Sequence, residues 1–267
     1  MTHSVVPATR PANAPANNRF LIGIAVGALV SLGVVGIALG SGAGTRLAGV
    51  PFGPIESRAY AQSLDGANRA NVRLQFGAGD LTVGALDREN GNVATATFSG
   101  PANYAPEPTY RVRDNVGELA YLVRDVKVGL PFFRGDEHLQ MDVLLTQNAP
   151  LVLNIEAGAS DSTLDLSALK VTRLDLQTGV ADTRVRLPQA AGHTSVSVHG
   201  GVTDLTFEVP QGVAADIRTS NGMGSREIDE RRFPSLGGGH YRSADYDTAT
   251  NRVEMDVDLG LATLRVR

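Results

Sequence analysis

Four aspartates that recur at equivalent positions are the residues in this sequence best suited to do chemistry. Residues 174–188 read LDLQTGVADTRVRLP and residues 196–210 read VSVHGGVTDLTFEVP, so Gly, Val, Asp and Pro recur with an offset of 22. Two earlier segments carry the same Gly-x-x-Asp pattern. Repeated Gly and Asp bind calcium in β-rolls, where the repeat is a nonapeptide. The pattern therefore raises the question whether these aspartates bind a metal ion or only shape a turn.

The spacing favours a turn over a calcium site. The middle intervals are 21 and 22 residues, and one carboxylate per unit supplies too few oxygens for the roughly six to eight ligands of calcium. Ser225 and Thr263 replace the aspartate in two further units. An aspartate can close a turn by accepting a backbone hydrogen bond, and glycine tolerates the positive φ that tight turns often need. We predict structural turns, with no metal, cofactor or catalytic residue, at Gly77, Asp80, Gly158, Asp161, Gly179, Asp182, Gly201, Asp204, Gly222 and Gly260.

The elements that position these residues are predicted to be β-strands. Apolar and polar residues alternate around each glycine, and no stretch of helical spacing competes with that period. The sequence predicts an all-β, solenoid-like domain over residues 71–267, built from six stacked strand-turn-strand units of about 21 residues. Hairpins in a sandwich and arcs in a parallel solenoid would bury the same side chains. The predicted inward residues are Val72, Leu74, Val83, Ala85, Leu153, Ile155, Leu164, Leu166, Leu174, Leu176, Val185, Leu187, Val196, Val198, Phe207, Val209, Met255 and Val257.

Two insertions interrupt the units. The first separates the first two units and contains TYRVRDNVGELAYLVRD, in which Asp114, Asn115 and Gly117 between alternating runs indicate a hairpin. The second, residues 226–251, contains three consecutive glycines and many charges and is predicted to be a long exposed loop.

Composition excludes several classes of function. The chain has no cysteine, which excludes disulfides, thiolate metal sites and cysteine nucleophiles. A net charge of −4 leaves no basic footprint for nucleic acid. The five histidines show no ligand spacing, and only His138, beside Asp136 and Glu137, has close acidic neighbours. No phosphate loop, nucleophile elbow or HExxH motif is present. We therefore predict that the protein is not an enzyme.

An apolar segment near the N-terminus predicts a membrane anchor. Residues 20–39 carry no charge over about the 20 residues that a transmembrane helix needs. Arg10 and Arg19 precede it without an acidic residue, which predicts a cytoplasmic N-terminus and an extracytoplasmic C-terminal domain. Residues 1–19 are predicted to be a flexible cytoplasmic arm, 20–40 the single span, and 41–70 a linker.

Two further hypotheses concern this segment. Ala59, Tyr60 and Ala61 fit a signal-peptide cleavage site, but they follow the apolar run by some 20 residues. An uncleaved anchor is therefore favoured. The pairs Gly23/Gly27 and Gly36/Gly40 have the spacing that lets helices approach closely, so a homo-oligomer is compatible with the sequence.

The run LDLSALKVTRLDLQTGVADTRVRLP, residues 164–188, followed by VSVHGGVTDLTFEVPQGVAADI, resembles the toastrack domain of bacterial envelope proteins. That family includes LiaF-like and PspC-like proteins linked to cell-envelope stress, and others labelled adhesins. The resemblance covers residues 71–267 and implies an extracytoplasmic β-domain with regulatory or scaffolding roles. It implies no catalytic residue. A single apolar span departs from the several spans usual in LiaF-like proteins.

We therefore expect a membrane-anchored, non-catalytic module that senses or organises the envelope by binding a membrane or envelope protein, or a cell-wall polymer. The alternative is an adhesin or a glycan-binding module. A solenoid polysaccharide lyase or hydrolase is the third reading, because a solenoid face can carry catalytic carboxylates.

Overall fold

The computed structural model describes residues 55–123 and 139–267. The predicted arm, the predicted span, residues 41–54 of the predicted linker and the cluster around His138 lie outside the described residues. No helix within the described ranges is long and apolar enough to cross a membrane.

The described residues form strands and almost no helix, so the all-β prediction is confirmed. Thirteen strands are joined in one hydrogen-bonded sheet. In chain order, the elements are β1 (Ile55–Ser63), β2 (Arg69–Ala85), β3 (Asn92–Pro101), one 3-10 turn (Ala102–Tyr104), β4 (Glu107–Arg113), β5 (Val116–Leu122), β6 (Gln140–Leu145), β7 (Leu151–Asp165), β8 (Val171–Arg186), β9 (His193–Glu208), β10 (Ala214–Ile228), β11 (Ser235–Gly237), β12 (His240–Arg242) and β13 (Arg252–Val266).

Six long strands correspond to the six predicted units, one glycine-keyed unit per strand. They lie side by side in the order β2, β7, β8, β9, β13, β10, and every neighbouring pair is parallel. Equivalent residues share a row across the strands, as Leu74, Ile155 and Leu176 do. Because parallel arcs cannot be hairpins, the two architectures that the sequence left open are resolved in favour of a parallel solenoid. Each long strand is called a coil below.

Each coil turns a corner at its glycine. In β7 the buried positions before Gly158 are Leu153, Ile155 and Ala157, whereas after it they are Ser160 and Ser162. The inward alternation thus shifts by one residue, and the paired register passes from Ala157 to Ala159 without Gly158. This shift lets both arms of a coil face the same core.

The predicted inward residues are confirmed as the core. All are buried except Ala85, which is half-buried. Each large buried aliphatic side chain contributes about 1.5–3 kcal/mol relative to exposure. A single coil buries these groups only against its neighbours, so its stability depends on stacking.

The spatial order of the coils departs from their order along the chain. Strand β13, the last of the described strands in sequence, lies between β9 and β10 and pairs with both over its full length. Residues 229–251, which connect β10 to β13, provide the chain length for this return.

Strand pairs extend the sheet beyond the first coil. The first arm of β2 pairs with β5, which forms an antiparallel hairpin with β4. Asp114 and Asn115 adopt positive φ values of 50° and 60° at its turn, so the predicted hairpin is confirmed. The second arm of β2 pairs with β6, followed by β3 and β1.

The predicted linker, residues 41–70, is too long. Strand β1 begins at Ile55 and pairs with β3, so the folded part starts well before residue 71. The reason is that β1 is exposed along most of its length and carries little apolar alternation, although its backbone hydrogen bonds hold it in the sheet. The triplet Ala59, Tyr60 and Ala61, considered as a cleavage site, lies within this strand.

The second insertion is not simply an exposed loop. It contributes β11 and β12, and β12 pairs with the first arm of β10. Phe233 is buried against the core, and the Arg232 guanidinium lies 4.8 Å from the centre of its ring. The insertion thus caps the first arm of the last coil. Its many charges and glycines had predicted a loop, and they gave no indication of these two strands.

Candidate functional site

The glycine row at the corner is explained by backbone packing between coils. A Cβ on Gly158 would lie 2.3 Å from the carbonyl oxygen of Gly77, and one on Gly179 would lie 2.7 Å from that of Gly158. The same approach of 2.8–2.9 Å recurs at Gly201, Gly260 and Gly222. None of the six glycines has φ in the left-handed region. The positive-φ explanation expected from the sequence is therefore wrong. Five of the six corner glycines are needed because the coils stack too closely for a side chain, whereas a Cβ on Gly77 would meet nothing within 4 Å.

Positive φ occurs two residues further on, and only in the first and last coils of the stack. Gly79 has φ of 111° and Gly224 has φ of 127°, whereas the intervening coils carry Ser160, Ala181 and Thr203 or Ala262 in this row. The end coils therefore differ from the inner coils at the corner.

The four repeated aspartates form one continuous row on the outer surface, which we call the aspartate row. Asp80 pairs with Asp161, Asp161 with Asp182, and Asp182 with Asp204. Neighbouring strands lie about 4.7–4.9 Å apart, so the row is a closely spaced column of carboxylates. All four are exposed, and none forms a side-chain hydrogen bond or ion pair with another described residue. The expected turn-closing hydrogen bonds are thus not formed.

An apolar row runs beside the aspartate row. Val180, Val202, Leu261 and Met223 occupy the position directly after the corner glycine in four successive coils. They are 63%, 48%, 52% and 70% exposed, whereas the first two coils carry alanine there. Exposed apolar residues in one contiguous patch mark interaction surfaces more often than scattered ones do. We call the apolar row and the aspartate row together the corner face.

A groove of about 480 Å³ runs along the corner face. Its walls combine apolar residues of the inner coils with carboxylates of Asp161, Asp182 and Asp204, while Thr263 continues the aspartate row. The sequence motif Gly-Val-x-Asp already contained both rows. Because strand side chains alternate, the valine two residues before an outward aspartate must also point outward, which is the signal that sequence reasoning missed.

Another charged row on the same arm shows how this protein normally arranges charge. Asp165, Arg186, Glu208 and Arg267 alternate in sign across neighbouring coils. Arg186 lies 3.3 Å from Asp165 and 3.1 Å from Glu208, and Arg267 lies 2.6 Å from Glu208. Every carboxylate in this row has a cationic neighbour, unlike those of the aspartate row.

The alternating row predicts a specific acid sensitivity. Hydrogen bonds from Arg267 and then Arg186 lower the pKa of Glu208 below its ordinary value of 4.5. A lowered folded-state pKa adds stability above the ordinary value, and this is lost as the pH falls through the folded-state value. We expect Glu208→Gln to be less stable than the wild type at pH 7 and to lose less stability than the wild type below pH 4.5. Unfolding at pH 7 and pH 3 measures this, and parallel losses would contradict it.

The aspartate row is costly to folding. Like charges directly opposite each other in a sheet are destabilising, and neither a cation nor a hydrogen bond from the described residues offsets their repulsion. A feature that opposes stability and is repeated over four coils points to a role in binding.

The cost of the aspartate row is measurable. We expect Asp182→Asn to raise the free energy of unfolding by about 0.2–1 kcal/mol at low salt because it removes repulsion from Asp161 and Asp204. The gain should shrink as salt screens the charges. Asp87→Asn, in an exposed loop, is the matched control and should have a smaller effect. A loss of stability in Asp182→Asn would instead indicate a turn-closing carboxylate.

Within the part of the chain that the structure describes, no group of three or more His, Asp or Glu side chains is arranged to hold a metal ion. The aspartate row offers one carboxylate per coil, and Thr263 and Ser225 take over in the last two coils. The arrangement therefore suits contact with an extended cationic surface more than coordination of a single ion.

A separate charge cluster holds the cap onto the last coil. The buried carboxylate of Asp216 lies 2.8 Å from His240 Nε2, 3.2 Å from Arg242 Nε and 3.5 Å from Arg218. Arg218 also pairs with Glu254 on β13 at 2.9 Å. This cluster joins β10, β12 and β13. The sequence did not predict it because these strands, although adjacent in space, are separated along the chain.

A solved structure shows that the fold of this chain also occurs in another bacterial protein. A "putative cell adhesion protein" from Clostridium sporogenes ATCC 15579 matches with a TM-score of 0.74 and 20% identity, over 80% of this chain and 99% of that one. A "putative adhesin" from Bacteroides fragilis NCTC 9343 matches with a TM-score of 0.33 and 12% identity, over 80% of this chain and 97% of its own. No curated protein matches this chain.

The family match agrees with the resemblance drawn from the repeated Gly-Val-x-Asp segments. Residues 52–208 match the family described as the N-terminal domain of toast_rack, DUF2154. The match starts just before β1 and extends to the end of β9, so it includes β1, which the sequence analysis assigned to the linker. The prediction of a toastrack domain is confirmed, and the chain belongs to the toast_rack N-terminal domain family.

Proposed function

We propose that the protein is a non-catalytic binding module of the bacterial envelope and that the corner face is its binding surface. The observation that carries this proposal is the exposed apolar row beside four stacked carboxylates that form no ion pair with the described residues. A surface of this kind costs stability in isolation and gains energy when a complementary partner covers it.

The cellular setting that we propose rests on the uncharged apolar segment of the sequence and on the arginines before it. Residues 20–40 anchor the protein as a single span, the N-terminus is cytoplasmic, and the solenoid lies outside the membrane. In this setting the module reports envelope stress to a membrane or envelope protein, or holds such proteins together.

An adhesin role is the second candidate. It is favoured by the fold shared with the C. sporogenes protein described as a putative cell adhesion protein. In that case the corner face contacts a wall polymer or a surface component, with no effect on regulation.

Site-specific photo-crosslinking in the protein's own cells tests the proposal. A photoreactive residue replaces Val202 on the corner face, and Val112, an exposed valine on β4, is the matched control position. We expect protein adducts at position 202 that change with cell-wall stress, and none at position 112. Adducts with wall polymer alone would favour the adhesin, and equal adducts at both positions would overturn the corner face as the binding surface.

A further inference from the structure

The corner face has the dimensions of a helix-binding surface. Its rows follow the stacking direction with one side chain per coil, about 4.8 Å apart. An α-helix rises about 5.4 Å per turn. A helix that lies along the stack therefore presents about one turn to each coil, and the mismatch over the three intervals from Val180 to Met223 is only about 2 Å.

The two rows also define the chemistry of that helix. The apolar row occupies β8, β9, β13 and β10, and the aspartate row occupies β2, β7, β8 and β9. On β8 and β9 the two rows lie side by side, with Val180 next to Asp182 and Val202 next to Asp204. The complementary surface thus has an apolar stripe flanked by a stripe of positive charge.

The charge of the corner face indicates which class of ligand it binds. Four stacked carboxylates that form no ion pair with the described residues repel anionic wall polymers and anionic lipid surfaces. The groove lining includes no aromatic ring. A basic polypeptide offers cations for the aspartate row and apolar side chains that pack on the apolar row.

We propose that the corner face binds an amphipathic α-helix of a partner protein, with its apolar stripe on Val180, Val202, Leu261 and Met223 and a flanking Lys/Arg stripe against the aspartate row. The proposal rests on the proposed function, because it takes the corner face to be the binding surface. Helix-in-groove recognition uses apolar anchors about one turn apart, which is the spacing that the coils supply.

A synthetic peptide tests this. The probe is an 18-residue helical peptide with Leu at positions i, i+4, i+7 and i+11 and Lys along the adjacent stripe. The full-length protein is used in phosphatidylcholine nanodiscs, and binding is followed by fluorescence anisotropy. A scrambled peptide of equal composition controls for net charge and hydrophobicity. Because wild type and variants share the same lipid, lipid binding cancels in the comparison.

Two corner-face variants and one matched control decide the outcome. Val202→Ser/Leu261→Ser should weaken binding of the striped peptide at least about tenfold by removing two apolar anchors. Asp161→Asn/Asp182→Asn/Asp204→Asn should weaken it by about tenfold or more and flatten its salt dependence.

The control, Asp87→Asn/Glu89→Gln/Glu230→Gln, removes three exposed charges elsewhere and should change affinity less than about twofold, because those charges are distant from the face.

Equal binding of striped and scrambled peptides, or an equal loss in the control variant, would overturn the proposal. If photo-crosslinking at position 202 captures a protein while the striped peptide does not bind, the binding module stands and the helix is wrong. If neither experiment succeeds, the corner face itself is wrong. Loss confined to the two corner-face variants would support the helix and the face together.

Discussion

Gly158→Ala should lower the free energy of unfolding by about 1–3 kcal/mol, the usual cost of overpacking, whereas Gly77→Ala should leave it nearly unchanged. Both glycines hold the same corner position in neighbouring coils. The added methyl at Gly158 would lie 2.3 Å from the Gly77 carbonyl oxygen, but nothing lies within 4 Å of the corresponding atom at Gly77. The clash involves backbone on both sides, so no side-chain rotation relieves it.

Chemical denaturation followed by circular dichroism measures the difference between the two variants. Gly77 is an internal control because alanine there changes the unfolded chain in the same way as at Gly158. Equal losses would show that glycine is needed for backbone conformation. An unchanged Gly158→Ala would show that the coils are further apart than the structure places them.

Phe233→Ala should lower the free energy of unfolding by about 3–5 kcal/mol, as removal of a buried aromatic ring usually does. Phe233 is 1% exposed and belongs to the hydrophobic core, although it comes from the second insertion. Arg232 fixes the segment by donating hydrogen bonds to the carbonyl oxygens of Val209, at 2.8 Å, and Pro210, at 3.0 Å. The ring is therefore held in the core from a fixed position.

Leu236→Ala, three residues away, is the matched control for this effect. Leu236 is 60% exposed and lies on β11 in the same insertion. Its truncation should stay within about 0.5 kcal/mol of the wild type, as expected for an exposed site. A Phe233→Ala variant as stable as Leu236→Ala would mean that the Phe233 ring does not contribute to the core.

Repetition made the coils predictable from the sequence. Each glycine marks a corner, and the apolar pairs on either side, such as Leu174 and Leu176, identify the two inward arms. The hairpin at Asp114 and Asn115 was predictable as well, since both residues tolerate positive φ.

The repeated pattern that made the coils predictable also made their spatial order unpredictable. The six units share one residue pattern, so nothing local distinguishes a neighbour in space from a neighbour in sequence. The role of the corner glycines was also hidden, because a Cβ clash depends on how closely another coil approaches. Asp216 and His240 meet only because β12 returns to β10, and no spacing in the sequence encodes that return.

The sequence predicts one part of the candidate site. It indicates the repeated aspartates as candidate functional residues, but that they form no ion pairs can be seen only when neighbouring coils are compared. Val180 and Val202 belong to the same motif, but their hydrophobicity alone does not show that they are exposed. Position in the alternation, rather than hydrophobicity alone, separates them from the core.

The position of β13 makes assembly of the solenoid depend on the end of the described chain. A simple stack can grow coil by coil as the chain is made. Here β9 and β10 are separated in space by a strand synthesised after both, so β10 has no place in the sheet until residues 252–266 arrive. A chain that lacks residues 252–266 thus keeps two edges open inside the stack, where a simple solenoid that lacks one strand at its end would lose only that coil. The closed stack is therefore reached only after β13 has been synthesised, and the two halves of the corner face on β9 and β10 are joined at the same step.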